Sequence, residues 1–181
     1  MRMTVSDETL AEAAASGDAD SFAALIGRHY DRLFAFAFRL TGSRPEAQDL
    51  TQDICAALPA KLASYRAEAR FSTWLYRVTV NAAHDRRRRL ATRTKAADGW
   101  GDWEVNRRAA DDEARDQLDW LSEAMRALPP DLRDTVALIL GEDLTQKDAA
   151  QVLGLPEGTV AWRMSEVKRH LRALHEEETE V

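Results

Sequence analysis

The sequence predicts an all-α protein: two small helical domains joined by a flexible acidic linker, with a helix-turn-helix in the second. Three observations lead there. Apolar residues recur every three or four positions almost throughout the 181 residues, the period of an amphipathic helix. No stretch of useful length alternates apolar and polar residues as a half-buried strand would. One aperiodic stretch, Thr94 to Asp112 (TKAADGWGDWEVNRRAADD), mixes Gly, acids and two Trp, and it divides the chain. The expected parts are residues 1–93, a linker over 94–112, and residues 113–181.

In the first part, Phe22, Ile26, Leu33, Ala37 and Leu40 follow the helical period, and Gly42 is placed to end that helix. Ser43 and Glu46, three apart, read as a capping box that opens a helix burying Leu50, Ile54 and Leu58. Pro59 removes a backbone donor and should kink or end it. Ala63 to Arg70 (ASYRAEAR) has no period and reads as a loop. Ser72 or Thr73 then caps a helix with Leu75, Val78 and Ala82 on its inner face.

In the second part, Leu118, Leu121, Met125 and Leu128 form one stripe, broken by Pro129-Pro130. A short helix follows and closes at Gly141. Thr145, with Asp148 three residues on, caps the next short helix, and Ala149 is small enough to let another helix cross closely. Gly154 supplies a tight turn and Leu155 plugs the core beneath it. A long helix from Glu157 buries Val160, Met164, Val167, Leu171 and Leu174.

Composition excludes several classes. No apolar run approaches the roughly 20 residues of a membrane span, and the N-terminus lacks the basic-then-apolar pattern of a secretory signal. A lone Cys55 forms no internal disulfide and reads as a small buried residue of a cytoplasmic protein. The four His are scattered, with no Gly-rich phosphate loop and no nucleophile grouping, so no catalytic residue, metal site or cofactor is expected. The net charge of -6 conceals blocks of opposite sign. His84 to Lys95 sums to +5, Asp98 to Glu123 to -6, and Thr159 to His175 to +3.

The long helix presents Thr159, Trp162, Arg163, Glu166 and Arg169 opposite its apolar stripe. A basic, polar face behind a Gly turn suits the DNA major groove, where arginines read guanine and phosphates fix register. A helical hairpin with a solvated face shares the period, but not the combination of small residue, Gly turn, Leu plug and long second helix.

Two blocks in order raise a more specific expectation. The segment from Phe22 to Ile54, with FSTWLYRVTVNAAHDRRRR (Phe71 to Arg89), resembles the N-terminal domain of the extracytoplasmic-function (ECF) group of the sigma-70 family of bacterial RNA polymerase sigma factors. Ala127 to Leu174 resembles the family's C-terminal domain, which binds the minus-thirty-five promoter element. The resemblance implies that Asp49, Gln52 and Asp53 dock on the bacterial RNA polymerase core. From the residues alone, a solvated face is the commoner reading of Asp49 and Asp53; a cation site would need more ligands than the two carboxylates, and no His or Cys nearby supports one. It also implies that Tyr65, Arg66, Arg70, Trp74, Arg77 and Asn81 recognise and help melt the minus-ten element, where freed bases can stack on aromatic rings. Arg86, Arg87 and Arg88 would attract duplex phosphates. Thr145, Gln146, Lys147, Glu157, Thr159, Trp162, Arg163, Glu166 and Arg169 fall in the minus-thirty-five set. The implied partners are core polymerase, promoter DNA and an anti-sigma factor. The implied linker threads the polymerase cleft, with Trp100 and Trp103 as anchors. The chain departs from the family at Ala161-Trp162, where a basic and a small polar residue are usual, and at Pro59. Two rival readings remain: a sigma-like mimic that sequesters an anti-sigma factor, and an ordinary helix-turn-helix regulator.

Overall fold

A computed structural model describes residues 5–96, 123–142 and 144–179. Most of the acidic linker with Trp100 and Trp103, and the stripe residues Leu118 and Leu121, lie outside the described residues. All regular structure among those described is helical. In order it comprises α1 (Asp7–Ala15), α2 (Ala19–Thr41), α3 (Arg44–Leu62), α4 (Phe71–Ala96), a helical stretch at 123–127, α5 (Pro130–Gly141), α6 (Gln146–Leu153) and α7 (Glu157–Thr179).

Helix α1 was not anticipated. Ser6 caps it by accepting from the Thr9 amide, and Asp7 and Glu8 occupy the first turn, where the helix dipole favours acids. It clamps its neighbours. Asp7 accepts from Arg28 at 2.8 Å and pairs with His29 Nε2 at 2.7 Å, both on α2. Glu8 Oε1 accepts from the Phe71 amide at 3.3 Å and so caps α4. That corrects the expected cap: Ser72 and Thr73 lie inside α4, one and two residues past its start.

Helix α2 ends as expected at Gly42, which takes the left-handed conformation with φ 64° and donates to the Phe38 carbonyl. The capping box at Ser43 and Glu46 does not form. Thr41 Oγ1 already accepts from the Ser43 amide, the donor that Glu46 would have needed, and the Ser43 side chain makes no capping bond. Pro59 does not end α3 either: the helix runs on to Leu62. Leu58 and Leu62, four apart, are both 1% exposed, so packing holds the final turn across the missing amide bond. The loop at 63–70 forms as the lost period predicts.

The second part follows its sequence closely. Pro130 opens α5 as its first residue, where a missing donor costs nothing. Thr145 and Asp148 form the full capping box of α6, and Gly154 ends it at φ 67°. Val160 and Val167 on α7 are fully buried, with Met164 and Leu171 packed against the same core. Helix α5 lies between α2 on one side and α7 on the other. The buried apolar side chains of the two parts therefore join in one contiguous cluster.

Candidate nucleic-acid interface

The loop before α4 is built around aromatic rings. Phe71 is buried, Tyr65 and Trp74 are half-buried, and their centroids stand 5.3–5.8 Å apart in edge and tilted arrangements. His29 closes on the Phe71 edge at 5.1 Å. The Tyr65 hydroxyl donates to the Ala69 carbonyl, fastening the loop to itself. Burial pushes that phenol above its usual range, helped by the acids of α1. Ala67 at the loop tip sits at φ 54°, a left-handed conformation that costs a non-glycine residue about 1 kcal/mol or more. Beside the rings opens a cavity of about 250 Å³, lined by Tyr65, Arg66, Trp74 and Arg77 among others. Arg66, Arg70, Arg77 and Asn81 are exposed, and of these Arg66 and Arg77 line it. Of the sequence-predicted minus-ten residues, Tyr65, Arg66, Trp74 and Arg77 are thus brought together at the cavity, while Arg70 and Asn81 lie outside its lining.

One wall of that cavity comes from the other part of the chain. Gln151 of α6 lines it, and its carbonyl accepts from Arg77. The arginine run divides in the same way. Arg86 donates to Asp49 at 2.9 Å and Asp53 at 3.5 Å, joining the two exposed carboxylates of α3. Arg87 donates both terminal nitrogens to Asp134 of α5, at 3.0 and 2.7 Å. Arg88 turns back to Asp85, whose carboxyl it holds below the usual range. Gln52 stands exposed beside Asp49 and Asp53, as its helical spacing requires.

A polar clamp between the two parts escaped the sequence reading. Glu142, its side chain only 2% exposed, accepts from Arg39 and Arg32 of α2 and from the Tyr76 hydroxyl of α4. Arg39 crosses Gly141 to reach it, and a Cβ at 141 would collide with the guanidinium. Burial pushes the Tyr76 phenol far above its ordinary range, and the Glu142 carboxylate adds to the shift. Asp134, equally buried, takes His84 Nε2 at 2.7 Å besides Arg87. These acids face cations 47 to 110 residues away, so no local pattern marks the pairs.

On the helix-turn-helix, Thr145, Gln146, Lys147, Glu157, Trp162 and Arg169 are exposed and Thr159 and Glu166 half-buried. Glu166 holds Arg169, which in turn keeps the Glu166 carboxyl below its usual range. Arg163 behaves differently. Its side chain is 17% exposed and its terminal nitrogens turn to the Asp131 carboxylate and carbonyl, each at 3.4 Å. Among the described residues, no group of three or more His, Cys, Asp or Glu converges as a metal site.

Known proteins resemble this chain in sequence and in fold. Residues 25–93 match the family model described as Sigma-70 region 2, and residues 118–171 match Sigma-70, region 4. The chain is 32% identical to the ECF RNA polymerase sigma factor SigE of Mycolicibacterium smegmatis, over 86% of its own length and 63% of that protein's. It is 31% identical to the ECF sigma factor SigM of Mycobacterium tuberculosis, over 93% of the chain and 84% of the relative. A solved structure of the sigma factor RpoE with the anti-sigma factor NepR, from Bartonella quintana, superposes with a TM-score of 0.74 at 25% identity. It covers 87% of this chain and 98% of that one. With both family models matched in order and a 31% identical relative covered over 84% of its length, the chain belongs to the sigma-70 family of RNA polymerase sigma factors, in its ECF group.

Proposed function

We propose that the chain is an initiation factor that binds core RNA polymerase, directs it to promoters with minus-ten and minus-thirty-five elements, and helps melt the first. One observation carries this reading. A single chain holds a helix-turn-helix with an exposed basic face and an aromatic-framed cavity lined by Arg66 and Arg77, with Arg70 and Asn81 exposed on the same part of the chain. The first suits duplex DNA, the second an unstacked base. Asp49, Gln52 and Asp53 form the polymerase-docking face of α3. The chain acts in the cytoplasm without cofactor or metal and performs no bond chemistry itself; nucleotide addition belongs to the polymerase. An anti-sigma factor is a fitting partner, because the RpoE relative was solved in complex with one.

Mapping transcription starts after overexpression tests the reading in cells. It expects a set of new starts sharing two upstream sequence blocks at constant spacing. New starts with no shared block, or none at all, would overturn it.

A further inference from the structure

We propose that Trp162 sets minus-thirty-five specificity by packing its indole on a thymine methyl group, and that Arg163 reads no base. The proposal rests on the promoter-reading role above and deepens it. At 3.6 residues per turn, Trp162 and Arg169 lie on the side of α7 opposite the buried Val160 and Val167. Trp162 is 59% exposed, the bulkiest of the exposed large apolar side chains among the described residues. No hydrogen bond or ring contact to another described residue holds its indole.

An indole left in water forgoes the burial that normally repays its size, about 150–250 Å² of mostly apolar surface. Its surroundings say what covers it. Gly158, one turn earlier, and Ser165, nearly one turn later, are exposed and small, so the helix can approach a groove floor closely around the ring. Lys168, Arg169 and Arg172 follow on exposed positions and match a phosphate-lined groove in charge. The thymine C5-methyl is the one apolar group that base edges offer in the major groove. Among base edges, that methyl group is the partner that suits an apolar ring on a cationic groove-binding helix.

Arg163 is committed elsewhere. It lies on the flank of α7, four-fifths covered, with its nitrogens on Asp131 and its Nε buried without a partner. It ties α7 to α5. Reaching a base edge would strip Asp131 of its partner and expose a packed stem.

The test uses holoenzyme, the full chain with core polymerase, and duplexes selected by it from a randomised upstream library. Each thymine of the selected upstream block is replaced in turn by deoxyuridine, which removes only the methyl group. At one position the wild type should bind the uracil duplex about fourfold more weakly, the worth of one buried methyl group. Trp162→Ala should bind both duplexes equally, and Trp162→Phe should retain a preference for thymine. Arg163→Ala should leave the thymine-to-uracil ratio unchanged. Indifference of the wild type to every replacement, a selected block without thymine, or discrimination that survives in Trp162→Ala would overturn the assignment alone. Selection of no upstream block at all would instead overturn the promoter-reading role on which it rests.

Discussion

Four consecutive arginines, Arg86 to Arg89, share one short stretch of α4 but not one fate. Arg86 joins two exposed carboxylates, and such surface pairs contribute about 0–1 kcal/mol. Arg87 is the bidentate partner of a buried carboxylate, and stripping a buried pair of one member costs about 3–5 kcal/mol while the fold stays closed. Arg87→Ala should therefore lower stability well beyond Arg86→Ala, read by denaturant unfolding; equal effects would contradict the assignment. Losing both Asp49 and Asp53 to Ala should weaken binding to core polymerase while leaving helical content and unfolding midpoint nearly unchanged. Tyr76 adds a pH dependence. Burial beside Glu142 keeps its phenol protonated above the ordinary value of about 10, so the folded chain holds a proton that the unfolded chain releases. Stability should then fall as pH rises above about 10, and Tyr76→Phe should flatten that fall. At this scale the sequence located the clusters but not the pairings. The run RRRR is visible as charge, whereas Asp134 stands 47 residues from Arg87 and carries no local sign of burial.

Caps were legible where both partners are near in sequence and no third group competes for the amide. Thr145 and Asp148 are three apart with no competitor, and the box forms as read. Ser43 and Glu46 have the same spacing, but Thr41 takes the amide first. The cap of α4 comes from Glu8, 63 residues earlier, where no window could find it. Thr145→Ala should cost about 1 kcal/mol of stability, measured by urea unfolding. Pro59 offers an opposite sign. It interrupts a helix that packing carries to Leu62, so Pro59→Ala should raise the unfolding midpoint, by up to about 3 kcal/mol in stability. A lower midpoint would show that the proline is favourable where it stands.

At the scale of the molecule, fold class and the order of the two units followed from periodicity, and their closure did not. The surfaces assigned to the two promoter elements meet in this arrangement, with Arg77 held by the α6 backbone and Glu142 locked beneath Arg39 and Tyr76. Elements named for positions ten and thirty-five lie about 25 base pairs apart, roughly 85 Å at 3.4 Å per step. A compact chain of this length has a radius of gyration of only about 16 Å. On the proposed reading the units part to hold both elements, and the shared apolar cluster and the buried carboxylates together resist it. Glu142→Ala should accordingly enlarge the free chain in small-angle scattering without loss of helix; an unchanged radius would show that the clamp does not hold the units together. Such polar pairs between distant helices have no periodic signature, which is why the closed form lay beyond the sequence.

The central claim is promoter-directed initiation, and reconstituted transcription tests it most directly. Purified chain added to core polymerase, on templates carrying the mapped upstream blocks, should give transcripts of defined length that core alone does not make. Loss of either block from the template should abolish them. Binding of the chain to promoter DNA without core, with no transcript when core is present, would contradict the claim and leave an ordinary DNA-binding regulator.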